Sequence, residues 1–218
     1  VILALAWLAG SAFATDLARL FPAGSGSRFL LHADTAGDAE LVISIAAAET
    51  ARLSVEYYVS SRAAGIPVEL WQQFVLSSPV AGAPKIEEGY FFAKELTAPE
   101  KLTGEYLRGL DGLVTADFLF PSKQALDKFK VGEESVTVPA GTVKAIHYRQ
   151  PPIDYWISDD AKPIGLVKLV SSGDKPKNRY RLELESIVRN VKPKIDPARA
   201  VPLSEKGRAL LAPGAEGP

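Results

Sequence analysis

The side chains best suited to chemistry in this chain are two histidines, His32 and His147, three acidic pairs, one serine–lysine spacing and two tryptophans. A zinc or copper site needs several imidazole, carboxylate or thiolate ligands at short, regular spacings, and neither histidine has another histidine near it in sequence. Each therefore reads as a half-exposed strand residue. Ser172-Gly173-Asp174-Lys175 fits the S-x-x-K pattern, in which a buried lysine activates a serine nucleophile at a helix start. Here it falls in a polar turn, without the S-D-N or K-T-G partners that chemistry requires. The pairs Glu87-Glu88, Glu133-Glu134 and Asp159-Asp160 could supply the acid and base of a glycosidase. Adjacent carboxylates on a strand, however, point to opposite faces, so solvated turns and edges are the plainer reading. G-x-S-x-G, P-loop and G-x-G-x-x-G patterns are missing, and the chain has no cysteine, which removes thiolate catalysis, thiolate metal sites and disulfides together. Trp71 and Trp156 could line a ligand cavity or belong to the core. No cofactor is expected.

The elements that must carry these residues read as strands. Residues 136–138 and 142–149 are two strand-like runs joined by Pro139-Ala140-Gly141, where proline removes a donor and glycine accepts a positive φ, so a tight hairpin is expected. Further strands are expected over 153–158, 164–171 and 178–188, with turn formers between them. Upstream, strand signals cover 28–33, 40–47, 51–60, 67–76 and 86–96. Leu53, Val55, Tyr57 and Val59 alternate with Arg52, Ser54, Glu56 and Tyr58, which predicts one face in the core and one in water. Near the other end, Tyr180, Leu182 and Leu184 alternate with Arg179, Arg181, Glu183 and Glu185 in the same manner. Short helices are expected at 15–21, 99–110 and 123–129, and 203–211 shows helical promise. Runs 113–120 and 164–170 are nearly apolar on both faces, as in a central strand or one bordering a cavity.

Residues 1–14 carry no charge and end in Ser11-Ala12-Phe13-Ala14, which matches the A-x-A pattern of signal peptidase sites. The expectation is a signal peptide over 1–14, cleavage after Ala14, a single β-rich domain over 15–190 and a proline-rich tail over 191–218. The run is short of the roughly 20 apolar residues that a membrane-spanning helix needs, so no integral membrane segment is expected in the mature chain. Formal net charge is −1, too small for generalised nucleic-acid binding. Its distribution is uneven: between Lys162 and Arg199 stand ten Lys or Arg against four Asp or Glu. A solvated strand face accounts for this, as does contact with an anionic lipid or an acidic partner.

Residues 132–149, Gly132-Glu133-Glu134-Ser135-Val136-Thr137-Val138-Pro139-Ala140-Gly141 through His147-Tyr148-Arg149, are followed by Asp154-Tyr155-Trp156-Ile157-Ser158 and by Pro163-Ile164-Gly165-Leu166-Val167-Lys168. This pattern resembles a family of secreted bacterial proteins of unknown function, similar in turn to the open, curved sheets of periplasmic outer-membrane lipoprotein carriers. The resemblance covers about 55 residues and its motifs are structural. It implies a mainly β (α+β) fold: a curved antiparallel sheet or open half-barrel with one or two short helices packed on it. It further implies a periplasmic or extracellular, non-enzymatic protein that binds a lipid or other apolar ligand, with Trp71, Trp156, Tyr155, Phe118 and Leu166 as the expected cavity wall. The alternative is a cell-envelope module that docks a partner protein through a sheet edge or its basic C-terminal region.

Overall fold

The computed structural model describes residues 17–35, 37–49, 52–61, 68–77, 85–110 and 127–211. Within them the chain forms one open sheet of twelve strands, mainly antiparallel, with three short helices. The first half is a meander of β1 (Gly26–Ala33), β2 (Gly37–Ala48), β3 (Arg52–Ser61), β4 (Val68–Ser77), β5 (Ile86–Ala93) and the short β6 (Glu100–Lys101). The second is a meander of β7 (Lys130–Val138), β8 (Gly141–Gln150), β9 (Ile153–Ile157), β10 (Leu166–Ser172) and β11 (Arg179–Val188). They join where β1 pairs antiparallel with β11, and β12 (Val201–Pro202) closes the far side by pairing parallel with β6. Helix α1 (Leu17–Leu20) precedes the sheet, α2 (Gly104–Leu110) follows β6 and α3 (Glu205–Leu211) follows β12.

Residues directly opposite one another in neighbouring strands lie on the same face, so the register sorts side chains. Phe29, Ile43, Val55, Phe74 and Phe91 fall on one face and are buried there together with Leu169 and Leu184 from the second meander. A single core cluster therefore spans both halves, and Leu17, Leu107 and Leu210 bring the three helices onto it. Large aromatic and branched side chains at alternate positions suit this pleated, one-sided surface.

The sheet is curved at its β7 end. Four strand steps separate β7 from β11, a span of about 19 Å in a flat sheet. Yet the amide of Ala140, in the turn between β7 and β8, donates to the carbonyl of Leu184 on β11 at 3.0 Å. The strands between must roll to allow this contact, giving the half-barrel form on that side.

Gly141 closes this hairpin with φ +119°, and a Cβ there would meet nothing within 4 Å. Any penalty for a side chain at this position is therefore conformational. Gly141→Val is expected to lower stability by about 1–3 kcal/mol, because a β-branched residue is strained at positive φ. An unchanged urea midpoint would contradict this account of the turn.

Several boundaries differ from the sequence expectation. The helix expected over 99–110 begins only at Gly104, since Glu100 and Lys101 pair with Phe91 and Tyr90 as strand β6. The run from Ile86 ends at Ala93, where the amide of Leu96 turns back to its carbonyl at 3.0 Å. Of 123–129 only the end is described, and strand β7 begins at Lys130. The expected leader over 1–14, most of the helix expected over 123–129 and the apolar run 113–120 lie outside the described residues. No helix among the described residues is long and apolar enough to cross a membrane.

The face of β3 expected to lie in water is covered at Glu56, while Arg52 on it stays exposed. Glu56 is only 4% exposed, because the segment after β11 crosses the outer face of β3, β4 and β5. One carboxylate oxygen of Glu56 accepts from the amides of Lys194 and Ile195 at 3.0 and 2.9 Å, and the other accepts from Lys194 at 2.9 Å. Ile195 packs with Val75 and Tyr90, forming a second, smaller cluster on this face. Burial holds the Glu56 carboxyl above its ordinary value, against the two amide hydrogen bonds and the Lys194 charge, which act to lower it. A second buried carboxylate, Glu100, accepts from the Ser204 amide and hydroxyl at 3.0 and 2.6 Å. Ser204 in turn caps α3, its hydroxyl accepting from the Gly207 amide at 3.0 Å.

Candidate docking groove

Strand β7 ends the sheet, and among the described residues it pairs only with β8. Along it runs an open groove of about 820 Å³, whose other walls come from β8, from Ile157 at the end of β9 and from the turn Ser158-Asp159-Asp160. That turn is local in origin: the Ser158 hydroxyl accepts from the Asp160 amide at 3.2 Å, which directs both aspartates outward. Glu133, Glu134, Asp159 and Asp160 supply four carboxylates to the groove, against one ammonium from Lys144 in its lining; Lys130 and Lys162, just outside it, stand 3.8 and 3.0 Å from Glu133 and Asp159. Ala145, Ile146, Tyr148 and Ile157 form its apolar floor.

Behind Glu134 lies a polar network that crosses the sheet. Register places His147, Trp156, Lys168 and Glu183 side by side on β8, β9, β10 and β11. The imidazole of His147 stacks on the Trp156 ring, with centroids 4.4 Å apart and planes at 14°. His147 Nδ1 lies 3.3 Å from Glu134 Oε1, and Nε2 lies 2.7 Å from Asp154 Oδ1. The Trp156 indole N–H donates to the same Glu134 oxygen, and Arg149 Nε donates to Asp154 at 2.7 Å. Partial burial raises the Asp154 pKa, but hydrogen bonds and charge from Arg149 and His147 outweigh it and hold this carboxyl below its ordinary range. Lys168 sits 5.7 Å from the Trp156 ring centre and 3.1 Å from Glu183. His147 is thus 7% exposed and paired on both sides, where the sequence suggested a half-exposed residue.

Of the five residues expected to wall an apolar cavity, the four that are described are not brought together. Tyr155 and Leu166 sit in the packed core, Leu166 at 1% exposure, and Tyr155 stacks on Tyr148 with centroids 5.5 Å apart. Trp156 lies on the opposite face in the network just described. Trp71 is also on that outer face, six strand steps away, between Tyr58 at 4.9 Å and Phe92 at 5.8 Å, with the Lys194 ammonium 5.5 Å from its ring centre. Phe118 lies outside the described residues. The serine of the S-x-x-K match, Ser172, donates its hydroxyl to the Pro152 carbonyl at 3.1 Å. Lys175 lines a second groove, of about 700 Å³, with Pro151, Pro152 and Asn178. His32 pairs with Asp38 at 2.8 Å on the outer face of β1 and β2. Sequence reasoning weighed Glu134 only as half of a solvated acidic pair, and it missed Asp154 and Glu56. The signal available for the first two was the position of both on one strand face with His147 and Trp156.

Fold and groove together define an open, single-sheet antiparallel β protein with an acidic groove along its terminal strand. No protein-family model matches the chain, and no curated protein matches it in sequence. Among solved structures it is similar to a candidate exported protein with a YmcC-like fold from Bacteroides fragilis, at 11% identity and a TM-score of 0.32, over 77% of this chain and 96% of that one. It is also similar to MucB, at 14% identity and a TM-score of 0.33, over 89% of this chain and 66% of that one. For MucB in complex with MucA(peri) the values are 10%, 0.31, 85% and 58%, so the chain spans about three fifths to two thirds of MucB. At these TM-scores the architecture rests on the strand pairing of the chain itself.

Proposed function

We propose that this protein is a non-enzymatic docking module of the cell envelope that receives an extended, basic segment of a partner along β7. The observation that carries the reading is the groove itself: four carboxylates and one lysine beside a terminal strand that, among the described residues, has a partner on one side only. An extended peptide can add to such an edge through main-chain hydrogen bonds, while its lysine or arginine side chains meet Glu133 on one face of β7 and Glu134 on the other. The envelope setting rests on the signal-peptide pattern ending at Ala14. An acyl-chain site is the weaker reading, because its expected wall is divided between the core and the outer face.

A peptide of alternating lysine and valine tests this. It should shift the amide resonances of Glu133 to Val138 and bind more weakly as salt rises. Glu133→Lys combined with Asp160→Lys should weaken it by about tenfold or more, equivalent to about 1.4 kcal/mol. A peptide that leaves β7 unperturbed at low salt would overturn the docking reading. Saturable binding of one fluorescent fatty acid per chain, with tryptophan quenching, would return the cavity in its place.

A further inference from the structure

We infer that His147 is a proton-operated control on Glu134, and through it on the groove, an inference that rests on the docking reading for its functional sense. Both imidazole nitrogens face a carboxylate oxygen, Glu134 at 3.3 Å and Asp154 at 2.7 Å. Only the imidazolium carries a donor at each nitrogen; the neutral ring must turn a lone pair toward one of the two carboxylates. Geometry decides which contact is given up. Asp154 is the closer partner and is fixed by Arg149, whereas Glu134 is the longer contact and its side chain is 51% exposed. The neutral ring therefore keeps its proton on Nε2 toward Asp154, and Glu134 is released from the histidine.

The charged groups around the ring, among the described residues, are Glu134 from β7, Arg149 on its own strand, Asp154 from β9, and Lys168 from β10 beyond the stacked Trp156. None of the others lines the groove; Glu134 does. Protonated, His147 neutralises one groove carboxylate from behind. Deprotonated, it leaves that charge to the groove, which then attracts a basic segment more strongly. The interaction is reciprocal: a bound cationic peptide must make His147 easier to deprotonate.

The test uses two readouts on the full chain. In the free protein, the imidazole resonances of His147 and the indole N–H of Trp156, which shares the Glu134 oxygen, should titrate together in one step. With the alternating lysine and valine peptide, affinity should rise by about three- to fivefold on the basic side of that step, as for one added partly exposed charge pair. Glu134→Gln should abolish the difference while leaving the fold intact, and His147→Gln should fix affinity at one value across the same range. A Trp156 indole that stays still while His147 titrates would overturn the inference whatever the peptide does. Equal peptide affinity on both sides of the step would overturn it while leaving the docking reading standing. Loss of all peptide binding, with the His147 and Trp156 titrations still coupled, would instead sink the docking reading and leave the proton control in place.

Discussion

Replacing Glu56 by alanine is expected to destabilise the protein by about 3 kcal/mol, roughly 6–12 °C in Tm for a chain of this size. The carboxylate is the acceptor for the amides of Lys194 and Ile195, and both would be left without it beneath the outer-face segment. Glutamine should behave differently. The oxygen that accepts from both amides can be supplied by a carboxamide, and the neutral group escapes the burial penalty that holds the Glu56 pKa up, so Glu56→Gln is expected within about 1 kcal/mol of the parent. The pH dependence separates the two further. Because the folded carboxyl binds its proton more tightly than the unfolded one, the folded state holds more protons between the ordinary value of 4.5 and the raised folded value. The contribution of this group to stability is thus fully present below 4.5 and is lost as pH rises through the folded pKa. Both variants should lack that component in urea titrations across the acid range, and equal stability of the alanine and glutamine variants would refute the acceptor role.

Gly26→Ala is expected to have a comparable or larger effect, of roughly 3–5 kcal/mol. A Cβ at this position would stand 2.1 Å from the carbonyl oxygen of Ile43 and 2.7 Å from the Cα of Ser44. Those are backbone atoms of the paired strand, so no side chain can move aside; β1 and β2 must separate locally. Two neighbouring hydrogen bonds would go with them, Gly24 N–H to the Ile45 carbonyl at 2.7 Å and Ile45 N–H to the Ser25 carbonyl at 2.8 Å. Faster amide exchange at Gly24 and Ile45 in the variant is the expected signature, with loss of the folded state at ordinary temperature as its extreme. An alanine variant with parental stability and protection would show that β1 and β2 leave room for a side chain at Gly26.

Much of the sheet was legible because alternation is a local signal. Leu53, Val55 and Tyr57 do lie on the core face, as do Leu182 and Leu184, and the Pro139-Ala140-Gly141 turn closes where proline and glycine indicate. Edges were less legible where pairing partners are distant. Glu100 and Lys101 are strand rather than helix because Tyr90 and Phe91 lie beside them, a fact outside any short window of sequence. The groove acids Glu133, Glu134, Asp159 and Asp160 stood out in the sequence as two pairs, whereas the outer face was the least legible part. Glu56 and Tyr58 carry the pattern of a solvated face, and only the return of residues 194 and 195 buries Glu56. Likewise Trp71 and Trp156 resemble core or cavity residues by type, yet register sets both on the outer face, in contact with Lys194 and His147.

The seam between β1 and β11 has a consequence for how the sheet is made. Each meander links strands that follow one another along the chain, so each can assemble by successive short-range closures. The seam instead pairs Gly26 with Val188 and Ala33 with Tyr180, closing a loop that contains nearly the whole sheet. Its register cannot be set until β11 exists, so the seam is expected to form late, uniting the two meanders around one core. Until that step, β1 presents a bare edge to other chains, and the seam is the place where strand exchange between two copies would begin.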